Sequence, residues 1–178
     1  MASSFFGSRF NQYIQELLTS PTPNHIIILG YISGGITRGF VVGIIVSMVA
    51  ILFHAIHVYN VALLIFAFIF CGGLFALGGL LNGIFSQSFD DISIFPTFIL
   101  TPLIYLGGTF YSLQLLPEPW RTIAHFNPIF YIVDLFRYAC LGSSDISPWY
   151  SFSAVIVFCM ILYSVIYYCL SRGIRLKQ

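Results

Sequence analysis

Few side chains in this sequence could do chemistry, and they are too scattered to do it together. His54 and His57 stand three residues apart, a spacing at which two imidazoles on one helical turn could share a metal ion. No third ligand accompanies them, and histidine is ordinary at a membrane–water boundary, so the pair reads as interfacial. Asp90 and Asp91 are adjacent carboxylates, but acid–base work would need a cleft and a nucleophile beside them. They read instead as a cap for a helix starting near Ile92, whose dipole favours anions at its N-terminus. The cysteines Cys71, Cys140, Cys159 and Cys169 lack C-x-x-C spacing, and Cys71 and Cys159 fall inside apolar runs as small apolar side chains. Two cations remain. Arg38 is embedded in an apolar run, and Arg137 follows Asp134 by three residues, near enough on one helix face to neutralise it.

The elements that must position these groups are set by composition. Of 178 residues, 58% are hydrophobic and 7% are charged. A soluble domain carries about 25% charged residues, so this chain cannot cover a water-facing surface and is an integral membrane protein. A formal net charge of +1 gives no footing for a nucleic-acid partner. The apolar runs are of spanning length, which predicts helices rather than the short alternating strands of a barrel. The opening residues, MASSFFGSRF, hold an early arginine and no sustained apolar core, so no cleavable signal peptide is expected.

Four runs are expected to span the lipid bilayer, at about residues 26–53, 59–85, 92–110 and 149–170. Before them, residues 8–20 predict an amphipathic helix, with Phe10, Tyr13, Ile14, Leu17 and Leu18 on one side and Pro21 as its stop. In the first run Gly30, Ser33, Gly34, Gly35, Gly39 and Gly43 form a small-residue face that lets another helix approach closely. Arg38 in that run costs about 2.5–3.5 kcal/mol to insert, so it must face protein or water. Pairing with a neighbouring helix and lining a substrate route both satisfy that demand. Pro96 and Pro102 kink the third run and free carbonyls that neighbouring groups must satisfy. Gly107-Gly108 and the prolines Pro117 and Pro119 then end it. Residues 117–141 read as two short helices that dip into one membrane face, since neither approaches the roughly 20 residues a crossing needs. Arg172, Arg175 and Lys177 put the C-terminal tail in the cytoplasm, and four spans return the N-terminus to the same side. The expected fold is an all-α membrane protein of four transmembrane helices, one cytoplasmic helix and two short extracytoplasmic re-entrant or interfacial helices.

One ordered set of residues carries a resemblance. Leu106-Gly107, Leu116-Pro117, Pro128-Ile129-Phe130-Tyr131 and Arg137 resemble the signature of ABC-2 type exporter permeases, an apolar span ending in glycine, then Leu-Pro, then a Pro-aromatic stretch closed by arginine. The resemblance extends over essentially the whole chain. It implies a single ABC-2 transmembrane domain over 1–178, in the plasma (inner) membrane with both termini cytoplasmic. It further implies that residues 8–20 are the coupling helix, docking on an ABC ATPase subunit through Arg9, Tyr13, Glu16, Leu17 and Leu18. Gly107, Leu116, Pro117, Pro128, Tyr131 and Arg137 are then the family signature, and a second permease copy completes a homodimer. No G-x-x-x-x-G-K-[ST] loop is present, so ATP and Mg2+ are expected on the partner subunit and no cofactor on this chain. Family members usually carry six spans, two of them before the coupling helix, and those two are expected to be lacking here. A truncated or non-transporting scaffold subunit is therefore the alternative. A secondary transporter would need ionisable groups buried in its spans, and only Arg38 qualifies.

Overall fold

The computed structural model describes residue 7 and residues 23–53, 58–109 and 117–173, with Phe89 described by its backbone alone. All regular structure among these residues is helical: α1 (Asn24–Phe53), α2 (Val61–Phe85), α3 (Phe89–Phe95), a π-turn (Pro96–Leu100), α4 (Thr101–Leu106), α5 (Glu118–His125), α6 (Pro128–Leu141) and α7 (Pro148–Ser171). Three described helices, α1, α2 and α7, are long and apolar enough to cross a membrane.

The predicted third run differs from expectation at both its start and its middle. Its helix begins at Phe89 rather than near Ile92, and Ser88 is its cap rather than Asp90 or Asp91. Ser88 Oγ accepts from Asp91 N–H at 3.2 Å, while Asp91 Oδ2 accepts from the N–H groups of Gln87 (2.9 Å) and Ser88 (3.0 Å). This is a capping box, in which two orphan donors are satisfied reciprocally. In the middle, Pro96 has no N–H to offer the Ile92 carbonyl, one turn back. Asn82 of α2 donates to that carbonyl at 3.0 Å instead. Thr101 N–H reaches back five residues to Pro96 O, and the Thr101 hydroxyl donates to the same oxygen at 3.1 Å. Two prolines thus convert one long helix into α3, a π-turn and α4, laid end to end with right-handed helical backbone at each junction.

Ser88→Ala is expected to cost about 1 kcal/mol and to fray the first turn of α3, seen as faster amide exchange there in detergent. The donors from Gln87 and Ser88 hold the Asp91 carboxyl below its ordinary 3.8. Because the folded value is the lower one, this contribution is fully present above the unfolded value and fades as pH falls through the folded one. Asp91→Asn should abolish that acid-side loss.

α2 is the central helix, packed against α1, α6 and α7. One cluster joins Ile28 of α1, Leu77, Leu80 and Ile84 of α2, and Ile166, Cys169 and Leu170 of α7. A second, at the opposite end of α2, joins Ala67 and Leu74 to Phe130, Tyr131, Ile132 and Leu135 of α6 and Val155 of α7. Lipid is as apolar as leucine, so close packing rather than escape from water holds such helices together. The glycine face expected on α1 serves this purpose only in part. A Cβ on Gly72 would meet the Ile36 backbone Cα at 3.0 Å, one on Gly39 would lie 3.8 Å from Gly72 Cα, and one on Gly43 would collide with the Phe68 ring. Gly30, by contrast, faces open space.

Candidate functional site

The residues with unusual chemistry converge where α4, α5, α6 and α7 meet, at one end of the bundle. Asn127 starts α6: its Oδ1 accepts from Ile129 N–H at 3.0 Å, with Pro128 in the first helical position, where the missing donor is harmless. The Asn127 amide also donates to Leu103 O at 2.6 Å, a carbonyl left over where Gly107 N–H turns to Ile104 O. This ties the end of α4 to the start of α6. Gly107 permits the approach, since a Cβ there would lie 2.9 Å from Ile129 Cγ2. Gly108 follows at φ +74°, a left-handed turn that aims its carbonyl at α6. Tyr131 then donates its hydroxyl to His125 O at 2.7 Å, joining α6 to α5.

Arg137 completes the joint, but not with the partner expected. Its Nη2 donates to Gly108 O at 2.7 Å and its Nη1 meets Asp145 Oδ2 at 2.7 Å. Asp134 is turned into the seam between α6 and α7 with 1% of its surface exposed, accepting from Asp145 N–H at 2.8 Å and from Ser151 Oγ at 2.7 Å. The i, i+3 pairing of Asp134 with Arg137 is therefore corrected. The loop after α6 brings donors that saturate Asp134 and an acid that reaches the guanidinium more directly. A polar chain runs from the α4 turn through α6 and its following loop to α7. On the other flank, Asn60 N–H donates to Ala139 O at 3.0 Å and the Tyr59 ring lies over Gly142. No buried side-chain polar atom among the described residues lacks a partner. Glu118 and Arg121 also pair, at 4.0 Å, but both are largely exposed and the pair adds little.

The geometry brings Gly107, Pro128, Tyr131 and Arg137 into one structure, with Pro117 preceding α5. Leu116 lies outside the described residues, as do His54, His57 and the whole segment with Arg9, Tyr13, Glu16, Leu17 and Leu18. Among the described residues no group of His, Cys, Asp or Glu could hold a metal ion. Arg38 is remote from this joint, exposed on α1, and without a hydrogen bond or ion pair to any described residue. A cavity of about 490 Å3 opens between α1, α2 and α7, lined by side chains such as Ile36, Phe70, Leu77, Met160 and Tyr163.

Sequence reasoning overlooked Asp145 and Ser151. No local pattern marks them, because both reach Asp134 or Arg137 only after the chain reverses at Gly142, which is left-handed at φ +71°. The start of α6 at Pro128 under an Asn127 cap carries a local signal that sequence reasoning did not use.

This arrangement holds no reactive set. It is a structural joint that fastens the short helices α5 and α6 to α4 and α7. Comparison with known proteins agrees with a membrane-transport role. The family model described as ABC-2 type transporter matches residues 1–141. The inner membrane transport permease YadH of Escherichia coli (strain K12) is 45% identical over 178 residues, which is 100% of this chain and 70% of that protein. The YadH of Shigella flexneri matches to the same extent. Nodulation protein J of Rhizobium leguminosarum bv. viciae is 25% identical over 116 residues, 65% of this chain and 45% of that protein. No solved structure matches the chain. With the family matched over most of its length and a close relative largely covered, the chain belongs to the ABC-2 type transporter family, as an inner-membrane permease subunit.

Proposed function

We propose that this permease forms half of a homodimeric exporter, moved from the cytoplasmic side by a separate ATPase subunit that binds ATP and Mg2+. ABC-2 permeases work with ATPase subunits and lack ATPase activity of their own. The observation that carries the reading is the largely buried hydrogen-bonded chain Gly108–Arg137–Asp145–Asp134–Ser151, which ties α4, α6 and α7 together at their shared end. A displacement delivered at the far end of the spans would reach this cap without being absorbed by loose side chains. In the proposed topology α1, α2, the run at about residues 92–110 and α7 are four spans, both termini are cytoplasmic, and α5 and α6 lie on the extracytoplasmic face. Two features support that orientation: the cations of the tail after α7, and the half-exposed Trp120 and Ile123 on α5, suited to a membrane–water boundary. The coupling helix at residues 8–20 would receive the ATPase through Arg9, Tyr13, Glu16, Leu17 and Leu18.

Affinity purification of the tagged chain from native membranes tests this directly. The expected result is recovery of an ABC ATPase subunit with vanadate-sensitive activity, and loss of most of that subunit in Glu16→Lys with membrane insertion unchanged. A chain that purifies without an ATPase would sink the exporter reading in favour of a scaffold. Undiminished recovery with Glu16→Lys would sink the docking role.

A further inference from the structure

Arg38 stands at mid-height of the apolar helix pair α1 and α2, with nothing described to neutralise it. It lies halfway along the 30-residue α1, and its neighbour Gly39 packs on Gly72, which is halfway along the 25-residue α2. Two helices thus agree on its depth, about 18 Å from either end of α2 at 1.5 Å per residue. With about 15 Å of hydrocarbon on each side, the side chain cannot snorkel to the headgroups. It points away from the bundle. Val41, Val42 and Ile45, on the following turns of the same face, are 52%, 54% and 56% exposed, and only Ile27 and Ile28 of α1 are buried.

No described residue at this depth bears a negative charge. Asp134 and Asp145 are engaged in the joint, Asp90 and Asp91 open α3, and Glu118 is on α5. A second copy in a symmetric dimer would present another Arg38 at this level, not an acid. An arginine cannot shed its proton to escape the cost of lipid, as a lysine can, so it needs water or an anion beside it. We propose that Arg38 lines the export route and binds the anionic group, a phosphate or carboxylate, of an amphipathic substrate whose apolar part runs along Val41, Val42 and Ile45. This rests on the exporter reading.

The test uses Val42→Cys in the full chain in native membranes, with the native chain as the blank for its own cysteines. Two impermeant methanethiosulfonates are compared, sulfonatoethyl (anionic) and trimethylammonioethyl (cationic). The expected result is labelling at least about tenfold faster by the anionic reagent, a ratio near one when Arg38→Gln is added, and a retained preference with Arg38→Lys. Dodecyl phosphate should slow the labelling and dodecyl maltoside should not. Absence of labelling above the blank, or labelling without charge preference because a carboxylate from elsewhere neutralises Arg38, would overturn the proposal. Lack of protection by dodecyl phosphate would overturn the substrate class. Where Val42→Cys fails to accumulate, Ile45→Cys on the next turn gives the same reading. An anion preference that persists in membranes where no ATPase subunit co-purifies would remove the exporter reading and leave the anion site standing.

Discussion

Arg137→Gln is expected to destabilise the permease by about 3 kcal/mol, the lower end of what breaking a buried ion pair costs. The side chains of Arg137 and Asp145 are 22% and 12% exposed, so solvent screens them little. Removing the guanidinium takes the charged Arg137 donors away from both Asp145 Oδ2 and Gly108 O. The loss should appear as a lower unfolding midpoint in detergent and as faster amide exchange in α6. Asp145→Asn alone should be similarly damaging, and the double variant should cost clearly less than the sum, since each single change strands the other's charge. The exposed Glu118–Arg121 pair supplies the contrast: Arg121→Gln should shift the midpoint by well under about 1 kcal/mol. If Arg137→Gln unfolds at the wild-type midpoint, the joint does not hold the outer helices and the mechanical reading falls with it.

Gly72→Leu should be at least as harmful, by a different route. At this position the missing Cβ already faces the Ile36 backbone at 3.0 Å, and backbone cannot swing aside as a side-chain tip can. A leucine would force α1 and α2 apart along their crossing, where Gly39 and Gly43 also approach α2. Overpacking in a tight interface costs about 1–3 kcal/mol, and more where the backbone must move. The expected result is a sharp drop in monodisperse protein after extraction. Gly78 provides the control on the same helix, because nothing lies within 4 Å of its Cβ position. Gly78→Ala should extract like the wild type, and equal losses from both substitutions would show that the contact with Ile36 does not decide the outcome, since Ala and Leu both favour a helix over Gly.

The difference between Gly72 and Gly78 marks what a sequence can and cannot say here. Both sit in Gly-rich stretches of one span, and both suggest close packing. Which of them touches a neighbour depends on where two helices cross, and that is set by their whole surfaces. Gly30 and Gly39 divide in the same way on α1.

The sequence by itself determined the membrane class, the apolar runs and the break begun at Gly107-Gly108. These are local matters: solvent transfer acts residue by residue, and glycine and proline act within one turn. It also announced that Pro96 would free a carbonyl. Only the tertiary structure decided that Asn82 would satisfy it, that Asn127 would clasp Leu103, and that Arg137 would leave Asp134 for Asp145. A buried polar group is bound to find a partner, but the partner is chosen by whichever segment the fold returns to its side. For Asp134 that was α7 and the loop beyond Gly142, too far along the chain for any local spacing to reveal.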